Sequence, residues 1–152
     1  MKPKHAALQR IIGYQFEEPG LLVRALTHRS FGKDNNERLE FIGDGLVNAV
    51  VAELLFTQYP DLDEGSLSRL RSKLVSKEGL AILAERFDLG PLVMLGAGER
   101  KSGGRHRASI LADTVEALAG SVLIEAGFGV ASQIVGSWVA ADVARLDINT
   151  TR

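Results

Sequence analysis

The sequence predicts an all-α protein. Apolar residues recur every three or four positions in stretches such as "LSRLRSKLVS" and "LAILAERF", which is the spacing of one buried helix face. No run alternates strictly between apolar and polar residues for long enough to indicate a strand. Pro-Gly, Gly-Pro and Gly-Gly pairs separate the periodic stretches, as expected of turns between helices.

We predict seven helices, in chain order: 4–14, 19–27, 35–58, 66–75, 77–87, 109–126 and 130–146. The Pro-Gly pair at 19–20 separates the first helix from the second, and Pro60 follows the third. Ser76 is typical of an N-cap, so it divides the fourth helix from the fifth. The Gly-Pro pair at 90–91 and the Gly-Gly pair at 103–104 bound the segment before the sixth helix, and the glycines of "EAGFG" precede the seventh.

Composition limits the classes of function. The 152 residues suffice for one core, and the absence of cysteine excludes disulfides and cysteine-ligated zinc. The three histidines are scattered, so any metal would need oxygen ligands. A net charge of −1 argues against a surface that binds nucleic acid everywhere, yet allows local basic patches. Neither a signal peptide nor an apolar run long enough to span a membrane is apparent, so we expect a cytoplasmic protein.

Carboxylates lie on two helices that are otherwise apolar. In "NERLEFIGDGLVNAVVAELLF", Glu37, Glu40 and Asp44 are spaced i, i+3, i+7 and share one helix face. In "SILADTVEALAGSVLIEAG", Asp113 and Glu116 are spaced i, i+3. A helix that is apolar nearly all round is buried, and a buried carboxylate must be protonated, paired or bound to a metal.

Arg38 is the only Lys or Arg on either of these helices. We therefore expect the two helices to face each other and to share divalent cations such as Mg²⁺, which take oxygen ligands. Two such ions can activate a water and stabilise the leaving oxygen during phosphodiester cleavage. The alternative is that the carboxylates are solvated or ion-paired on a surface, but two sets on two apolar helices favour the metal site.

Basic residues cluster immediately before the second acidic helix. In "GERKSGGRHRAS", we predict that four of them contact phosphates of a nucleic acid: Arg100, Lys101, Arg105 and Arg107. The alternative is that they are merely solvated. Aromatic residues are few and far apart, which disfavours stacking on single-stranded bases and favours recognition of a duplex by its shape.

Two further segments have a structural interpretation. In "LTHRS", at 26–30, His28 and Arg29 fit the negative C-terminal end of a helix. A Ser-His nucleophile is discounted there because no Gly-x-Ser-x-Gly elbow accompanies it. Glu64 precedes a helix, where an acidic residue favours the positive helix end.

The segment "NERLEFIGD" resembles the signature of the ribonuclease III endonuclease domain. The segments "LTHRS", "EGSLSRLRSKLVS" and "SGGRHRASILADTVEALAGSVLIEAG" are also similar to this family, and the resemblance covers about 8–143. It is closest in kind to the bacterial type with a single catalytic domain. The resemblance implies an all-α ribonuclease III endonuclease-domain fold that forms a homodimer and cuts double-stranded RNA. It further implies Mg²⁺, with Mn²⁺ as a substitute, products with 5′-phosphate and 3′-hydroxyl ends, and a role in rRNA precursor maturation and mRNA processing.

Motif positions imply roles for individual residues. The catalytic, metal-binding set implied by the resemblance is Glu40, Asp44, Asp113 and Glu116. Glu37 and Glu64 match acidic positions with assisting roles, and Phe41 matches a position at the dimer interface; the alternative for Phe41 is a place in the core. The sequence departs from the family pattern at Gly45, where a serine is usual. The double-stranded-RNA-binding domain that usually follows has no counterpart here. We therefore assign 1–146 to the endonuclease domain and 147–152, which lies in the polar segment "LDINTTR" at 146–152, to the start of a linker.

Two other functions are weighed against this one. A relative that binds duplex RNA without cutting it would usually have lost the carboxylates, which this chain keeps. An unrelated di-metal phosphoesterase of the His-Asp type would need His-Asp dipeptides, and the sequence has none. Both alternatives therefore rank below the endoribonuclease.

Overall fold

Helix α7 (Ala108–Ala126) is the central helix of the protein, whose computed structural model describes residues 2–151. Every residue of α7 from Ile110 to Val122 except Asp113 is buried. A helix this apolar on all sides is stable only when other helices cover it. Four helices pack against it: α2 (Pro19–Ala25), α3 (Glu37–Gln58), α5 (Lys77–Arg86) and α8 (Phe128–Ala144).

The remaining helices lie further from the centre. They are α1 (Pro3–Ile12), α4 (Glu64–Val75), which packs on α3 and α5, and the short α6 (Ala97–Lys101). Three 3₁₀ turns complete the description: Gly90–Leu92, Gly104–His106 and Ile148–Thr151. Residues 2–151 contain no strand, and one isolated parallel bridge joins Thr27 to Met94. The predicted all-α class is therefore confirmed.

All seven predicted helices are present, although several ends differ. Helix α2 ends at Ala25 rather than at 27 because Thr27 is held in the bridge to Met94. Helix α4 begins two residues earlier than predicted, because the Asp63 carboxylate accepts a hydrogen bond from the Ser66 N–H at 2.8 Å and caps it. Helix α6 was not predicted, since its five residues lie between glycine-containing turns and are too few for a periodic pattern.

Two glycines allow the backbones of α3 and α7 to touch where these helices cross. A methyl group on Gly43 would lie 1.7 Å from the main-chain oxygen of Glu116. One on Gly120 would lie 2.1 Å from the main-chain oxygen of Leu39. Any larger residue at either position would push the helices apart, so this crossing sets the distance between the acidic residues of the two helices.

The N-terminal helix is fixed to the C-terminal part of the chain. The Trp138 indole N–H donates a hydrogen bond to the main-chain oxygen of Ile12 at 2.8 Å. The Glu125 carboxylate accepts hydrogen bonds from the Tyr14 hydroxyl and from the backbone N–H groups of 17–18. These bonds attach the end of α1 to the middle of α8, and the α1–α2 connection to the end of α7.

Backbone hydrogen bonds join the loop before α3 to the loop before α6. The Met94 N–H donates to the Leu26 oxygen at 2.8 Å, and the His28 N–H donates to the Met94 oxygen at 3.0 Å. The Gly96 N–H donates to Ser30 Oγ at 2.9 Å. A methyl group on Gly96 would lie 2.3 Å from the Ser30 carbonyl oxygen, so only glycine fits there. The basic segment that begins with α6 is thereby anchored to the "LTHRS" segment.

Two predictions concern the chain as a whole. Within the described range, no helix has both the length and the apolarity that crossing a membrane requires. The polar C-terminal segment forms the 3₁₀ turn Ile148–Thr151, and Arg152 lies outside the described residues. The division into an endonuclease domain over 1–146 and the start of a linker over 147–152 stays a prediction.

Candidate metal centre

Three carboxylates meet where α3 crosses α7. One oxygen from each of Glu40, Asp113 and Glu116 lies within 4.8 Å of the other two, which is close enough for all three to bind one ion. The Glu116 side chain is buried, with 8% of its residue surface exposed, and the other two residues are half-buried. The structure therefore brings together the two acidic helices, as the sequence predicts.

The carboxyl groups of this centre hold protons because they are buried and lie close together. Burial, followed by the hydrogen bond to Asp44, raises the pKa of Glu116 to about 9. Burial raises the pKa of Glu40 to about 7, with the Asp113 carboxylate as the next cause. Burial also raises the pKa of Asp113, whereas the hydrogen bond from Glu40 acts in the opposite direction. Glu40 and Glu116 are therefore the proton donors, and Asp113 and Asp44 are the acceptors.

Asp44 lies at the exposed rim of this group. Its carboxylate accepts the hydrogen bond from Glu116, and Asn48 Nδ2 lies 3.4 Å from its Oδ1. The same Nδ2 donates to the main-chain oxygen of Asp44 at 2.9 Å. The fourth predicted ligand is thus joined to the group of three through Glu116, on the side that faces solvent.

The donor set fits a hard divalent cation. All four side chains offer carboxylate oxygens, which are the ligands that Mg²⁺ and Mn²⁺ take. No ion pair between these carboxylates and a Lys, Arg or His is found among residues 2–151. Without a cation, a buried carboxyl such as that of Glu116 must keep its proton. A divalent ion that replaced the shared protons would remove this penalty, so the chemistry of the site suits a metal.

Comparison with known proteins connects this site to a family. A model of the family described as Ribonuclease-III-like matches residues 18–143. Ribonuclease 3 of Hahella chejuensis is 48% identical over 152 residues, covering 100% of this chain and 67% of the relative. The chain belongs to the ribonuclease III family. Ribonuclease 3 of Nitrosomonas europaea is 46% identical over 97% of the chain and 60% of its own length. The chain thus spans between 60% and 67% of these ribonuclease III relatives.

Solved structures confirm the ribonuclease III fold. The nuclease domain of ribonuclease III from Campylobacter jejuni superposes with a TM-score of 0.89 at 38% identity, covering 97% of this chain and 100% of that one. A second structure of that domain, described as flexible in a region involved in dimer formation, gives a TM-score of 0.82 at 40% identity, with 91% and 94% covered. Dicer from Pichia stipitis shares the fold alone, with a TM-score of 0.69 at 22% identity, covering 91% of this chain and 62% of that one.

The two acidic residues predicted to assist lie outside the group of three. Glu37 is exposed, and its carboxylate lies 3.8 Å from Nη1 of Arg29. Its charge also contributes to the raised pKa of Glu40, after burial and Asp113, so it lies near the ribonuclease III centre electrostatically. Glu64 is exposed at the first position of α4. The assisting roles of both residues stay predictions.

Phe41 points away from the protein. It is 82% exposed although it belongs to the most apolar part of the ribonuclease III signature. The alternative prediction, that Phe41 is simply part of the core, is therefore wrong. Its place in a dimer interface stays a prediction.

The four basic residues predicted to contact RNA have different surroundings. Arg107 forms an ion pair with Glu99 of α6. Arg100 and Arg105 line an open cavity of about 600 Å³ together with basic side chains of the N-terminal segment. Lys101 is exposed on α6. Contacts between these residues and RNA phosphates stay a prediction.

Two features of this ribonuclease III centre escaped the sequence prediction. Gly43 and Gly120 are glycines inside helices, where each costs about 1 kcal/mol relative to alanine, and that cost was a signal that packing requires them. His28 was interpreted as part of a helix end, but it lies near the acidic centre. Burial lowers the pKa of the His28 imidazole, while the carboxylates of Glu99 and Asp113 act in the opposite direction.

Proposed function

We propose that this chain is the catalytic domain of a divalent-metal-dependent endoribonuclease. It hydrolyses phosphodiester bonds of double-stranded RNA and leaves 5′-phosphate and 3′-hydroxyl ends. The observation that carries the proposal is the group of carboxylates at the α3–α7 crossing in a chain of the ribonuclease III family. Because the relatives from Hahella chejuensis and Nitrosomonas europaea are bacterial proteins called ribonuclease 3, we assign the activity to maturation of rRNA precursors and mRNA in the cytoplasm.

The carboxylates have distinct roles in this proposal. The residues that would hold Mg²⁺, or Mn²⁺ in its place, are Glu40, Asp44, Asp113 and Glu116. The bound ion supplies water activation and stabilisation of the leaving oxygen. Glu116 gives up its proton on metal binding, because its pKa of about 9 belongs to the metal-free centre. Glu40 and Asp113 share a second proton in that state and release it in the same way.

The RNA approaches the centre from the side of Asp44. That residue is exposed, whereas Glu116 is buried behind it, so the scissile phosphate reaches the group at its solvent-facing rim. Arg100, Lys101 and Arg105 contact the phosphate backbone beyond the cleavage site. These contacts are local, which agrees with a net charge of −1 for the chain.

We further propose that two copies pair through the outer face of α3. Phe41 and Phe56 are 82% and 72% exposed, and they lie about 22 Å apart along the helix. The small residues Gly45, Ala49 and Ala52 lie between them on the same face. In an isologous pairing centred midway, Phe41 of one protomer lies opposite Phe56 of its partner. A cavity of about 210 Å³ beside Phe56, between α3 and α4, offers room for the incoming ring.

Cleavage of a long RNA duplex tests the proposed activity. We expect the chain to cut the duplex with Mg²⁺ and to stop when the ion is chelated. Glu116→Gln should lower the cleavage rate by more than about a hundredfold, because it removes a ligand that the second helix supplies. The matched control is Glu53→Gln. Glu53 is an exposed acidic residue of α3 that lies about 20 Å from Glu40 along the helix axis. The Glu53→Gln variant should therefore cut at the rate of the unaltered chain.

Three outcomes would contradict the proposal. Cleavage at the full rate in a chelator would exclude the metal. Full activity of Glu116→Gln at ordinary Mg²⁺ would exclude the assignment of the centre. Binding of the duplex without cleavage, in either Mg²⁺ or Mn²⁺, would favour a non-catalytic RNA-binding protein.

A further inference from the structure

The "LTHRS" segment contains a side-chain arrangement that the proposed mechanism does not use. His28 Nδ1 accepts a hydrogen bond from the backbone N–H of Ser30 at 3.1 Å. The same nitrogen lies 2.8 Å from Ser30 Oγ. Ser30 Oγ in turn accepts a hydrogen bond from the Gly96 N–H at 2.9 Å. The imidazole, the hydroxyl and the neighbouring loop are thus linked in one chain of hydrogen bonds.

This chain determines where the imidazole carries its proton. A backbone N–H can only donate, so His28 Nδ1 must be the unprotonated, accepting nitrogen. The Ser30 Oγ accepts a hydrogen bond from the Gly96 N–H, and the Ser30 hydroxyl donates its own proton to His28 Nδ1. In the neutral ring the remaining proton is then on Nε2. The close approach of Gly96 to the Ser30 backbone, which leaves no room for a side chain at Gly96, brings its N–H within reach of the hydroxyl.

The opposite edge of the ring has no partner in the part of the chain that the structure describes. His28 is half-buried, and no hydrogen-bond partner of its Nε2 is found among residues 2–151. The charges of Glu99 and Asp113 act on the imidazole, so the ring lies within electrostatic range of Asp113, one of the proposed metal ligands. Burial and Arg29 lower the pKa of His28, which favours the neutral imidazole.

We propose that the Nε2–H of His28 donates a hydrogen bond to a non-bridging oxygen of the RNA phosphate at the carboxylate centre, and that Ser30 positions the ring for this contact. The inference rests on the proposed endoribonuclease function. A phosphate oxygen is an acceptor that matches a fixed donor. A neutral donor also suits this place, because a cationic side chain would repel the divalent ion that the centre binds.

Two substitutions separate this role from a structural one. In His28→Gln the amide nitrogen reaches the position of Nε2 and keeps the outward donor, but loses the acceptor for Ser30. In His28→Asn the amide oxygen takes the place of Nδ1 and keeps that acceptor, but no donor reaches the phosphate. We expect kcat/KM on duplex RNA to fall by about tenfold to a hundredfold in His28→Asn and by less in His28→Gln. Mg²⁺ affinity and the unfolding midpoint should stay unchanged in His28→Asn.

Ser30→Ala tests the positioning role. Without the hydroxyl, Nδ1 loses one of its two donors, so we expect a loss of kcat/KM between those of the two His28 variants. The control is Ser137→Ala, since Ser137 is an exposed serine of α8 whose hydroxyl contacts only its own helix. Imidazole ¹⁵N NMR of the unaltered chain should show the proton on Nε2.

The outcomes distinguish this inference from the proposed function. If the unaltered chain cuts RNA but His28→Asn is as active as the unaltered chain, or more active than His28→Gln, the inference is overturned and the proposed function stands. A proton on Nδ1 in the NMR spectrum overturns it regardless of activity. If the unaltered chain does not cut, the proposed function fails, and duplex binding in Ca²⁺ becomes the readout. Equal binding by the two His28 variants would then overturn the inference as well.

Discussion

Burial and mutual proximity act together on the side chain of Glu116. Its carboxyl lies at a helix crossing with three other carboxyls, and burial is the largest cause of its raised pKa. A buried negative charge destabilises the folded state when it is alone, and it stabilises a bound cation, because the ion neutralises the charge. The stability of the protein should therefore depend on pH and on metal in a linked way.

We predict that the metal-free protein loses stability as pH rises from 7 to 9. The pKa of Glu116 is raised from its ordinary 4.5 to about 9, so in this range the folded state holds a proton that the unfolded state has lost. The stabilising contribution is complete below pH 4.5 and is lost as pH rises through 9, with a slope of at most about 1.4 kcal/mol per pH unit. Urea unfolding in a chelator measures the slope, which saturating Mg²⁺ should reverse or flatten.

Glu116→Gln is the control for this pH dependence. The amide does not titrate, so its free energy of unfolding should vary less between pH 7 and 9. The lowered pKa values of His5 and His28 favour the neutral imidazole in the folded state above pH 7, so these two side chains do not account for a slope between pH 7 and 9. An identical slope in the unaltered chain and in the variant would show that Glu116 is not the titrating group.

Gly43 tests the link between packing and the metal centre. In Gly43→Ala the new methyl would collide with the Glu116 main-chain oxygen, so we expect a loss of about 3 kcal/mol in the free energy of unfolding and a loss of about tenfold in Mg²⁺ affinity. Gly136→Ala is the matched control, since its nearest neighbour would lie 3.9 Å away. It should stabilise the protein by about 0.5–1 kcal/mol. Equal effects of the two substitutions would contradict the close crossing.

At the scale of elements, Asp63 decides where α4 begins. Its carboxylate accepts a hydrogen bond from the Ser66 N–H. Hydrogen bonds from the backbone and from the side chain of Ser66 lower the pKa of Asp63. We predict that Asp63→Ala lowers the free energy of unfolding at pH 7, as loss of an N-cap does. Asp61→Ala removes an equally exposed charge from the same loop and should leave stability unchanged. Chemical denaturation of both variants gives the comparison, and equal losses would mean that charge rather than capping matters.

The helices were predictable where buried apolar residues recur at regular spacing along the sequence. Long elements such as α3 and α7 repeat their apolar spacing several times, so their class and approximate bounds follow from the sequence. Ends set by a single distant contact were not predictable. The end of α2 depends on the Thr27–Met94 bridge, and these two residues are 67 positions apart.

The candidate site was predictable in its composition but not in its detail. Spacing on two apolar helices was enough to predict that Glu40, Asp113 and Glu116 meet, because each helix carries its carboxylates among apolar residues that must be buried. The orientation of single side chains was not accessible. Neither the pairing of Arg107 with Glu99 nor the proton on His28 has a signature in local sequence, since both depend on loops that meet only in the folded protein.

At the scale of the whole molecule, the exposed face of α3 predicts self-association. We expect sedimentation equilibrium to show a dimer for the unaltered chain. Phe41→Ser should shift it to a monomer, because it removes the largest apolar group of that face. The control is Ile11→Ser, which changes an apolar residue of α1 that is 51% exposed. This variant should remain dimeric, because Ile11 lies outside the exposed face of α3. A monomer for the unaltered chain at high concentration would contradict the pairing, as would a dimer for Phe41→Ser.

The attachment of α1 has a consequence for biosynthesis. The hydrogen bond between Trp138 and Ile12 joins residues 126 positions apart, and the bond between Tyr14 and Glu125 spans 111 positions. Helix α1 therefore cannot make these contacts until α7 and α8, which follow it by more than a hundred residues, have been synthesised. Closing so long a loop is entropically costly and slow. During synthesis of this region α1 thus stays undocked while α2 to α6 emerge, and the acidic centre forms only after α7 has been made.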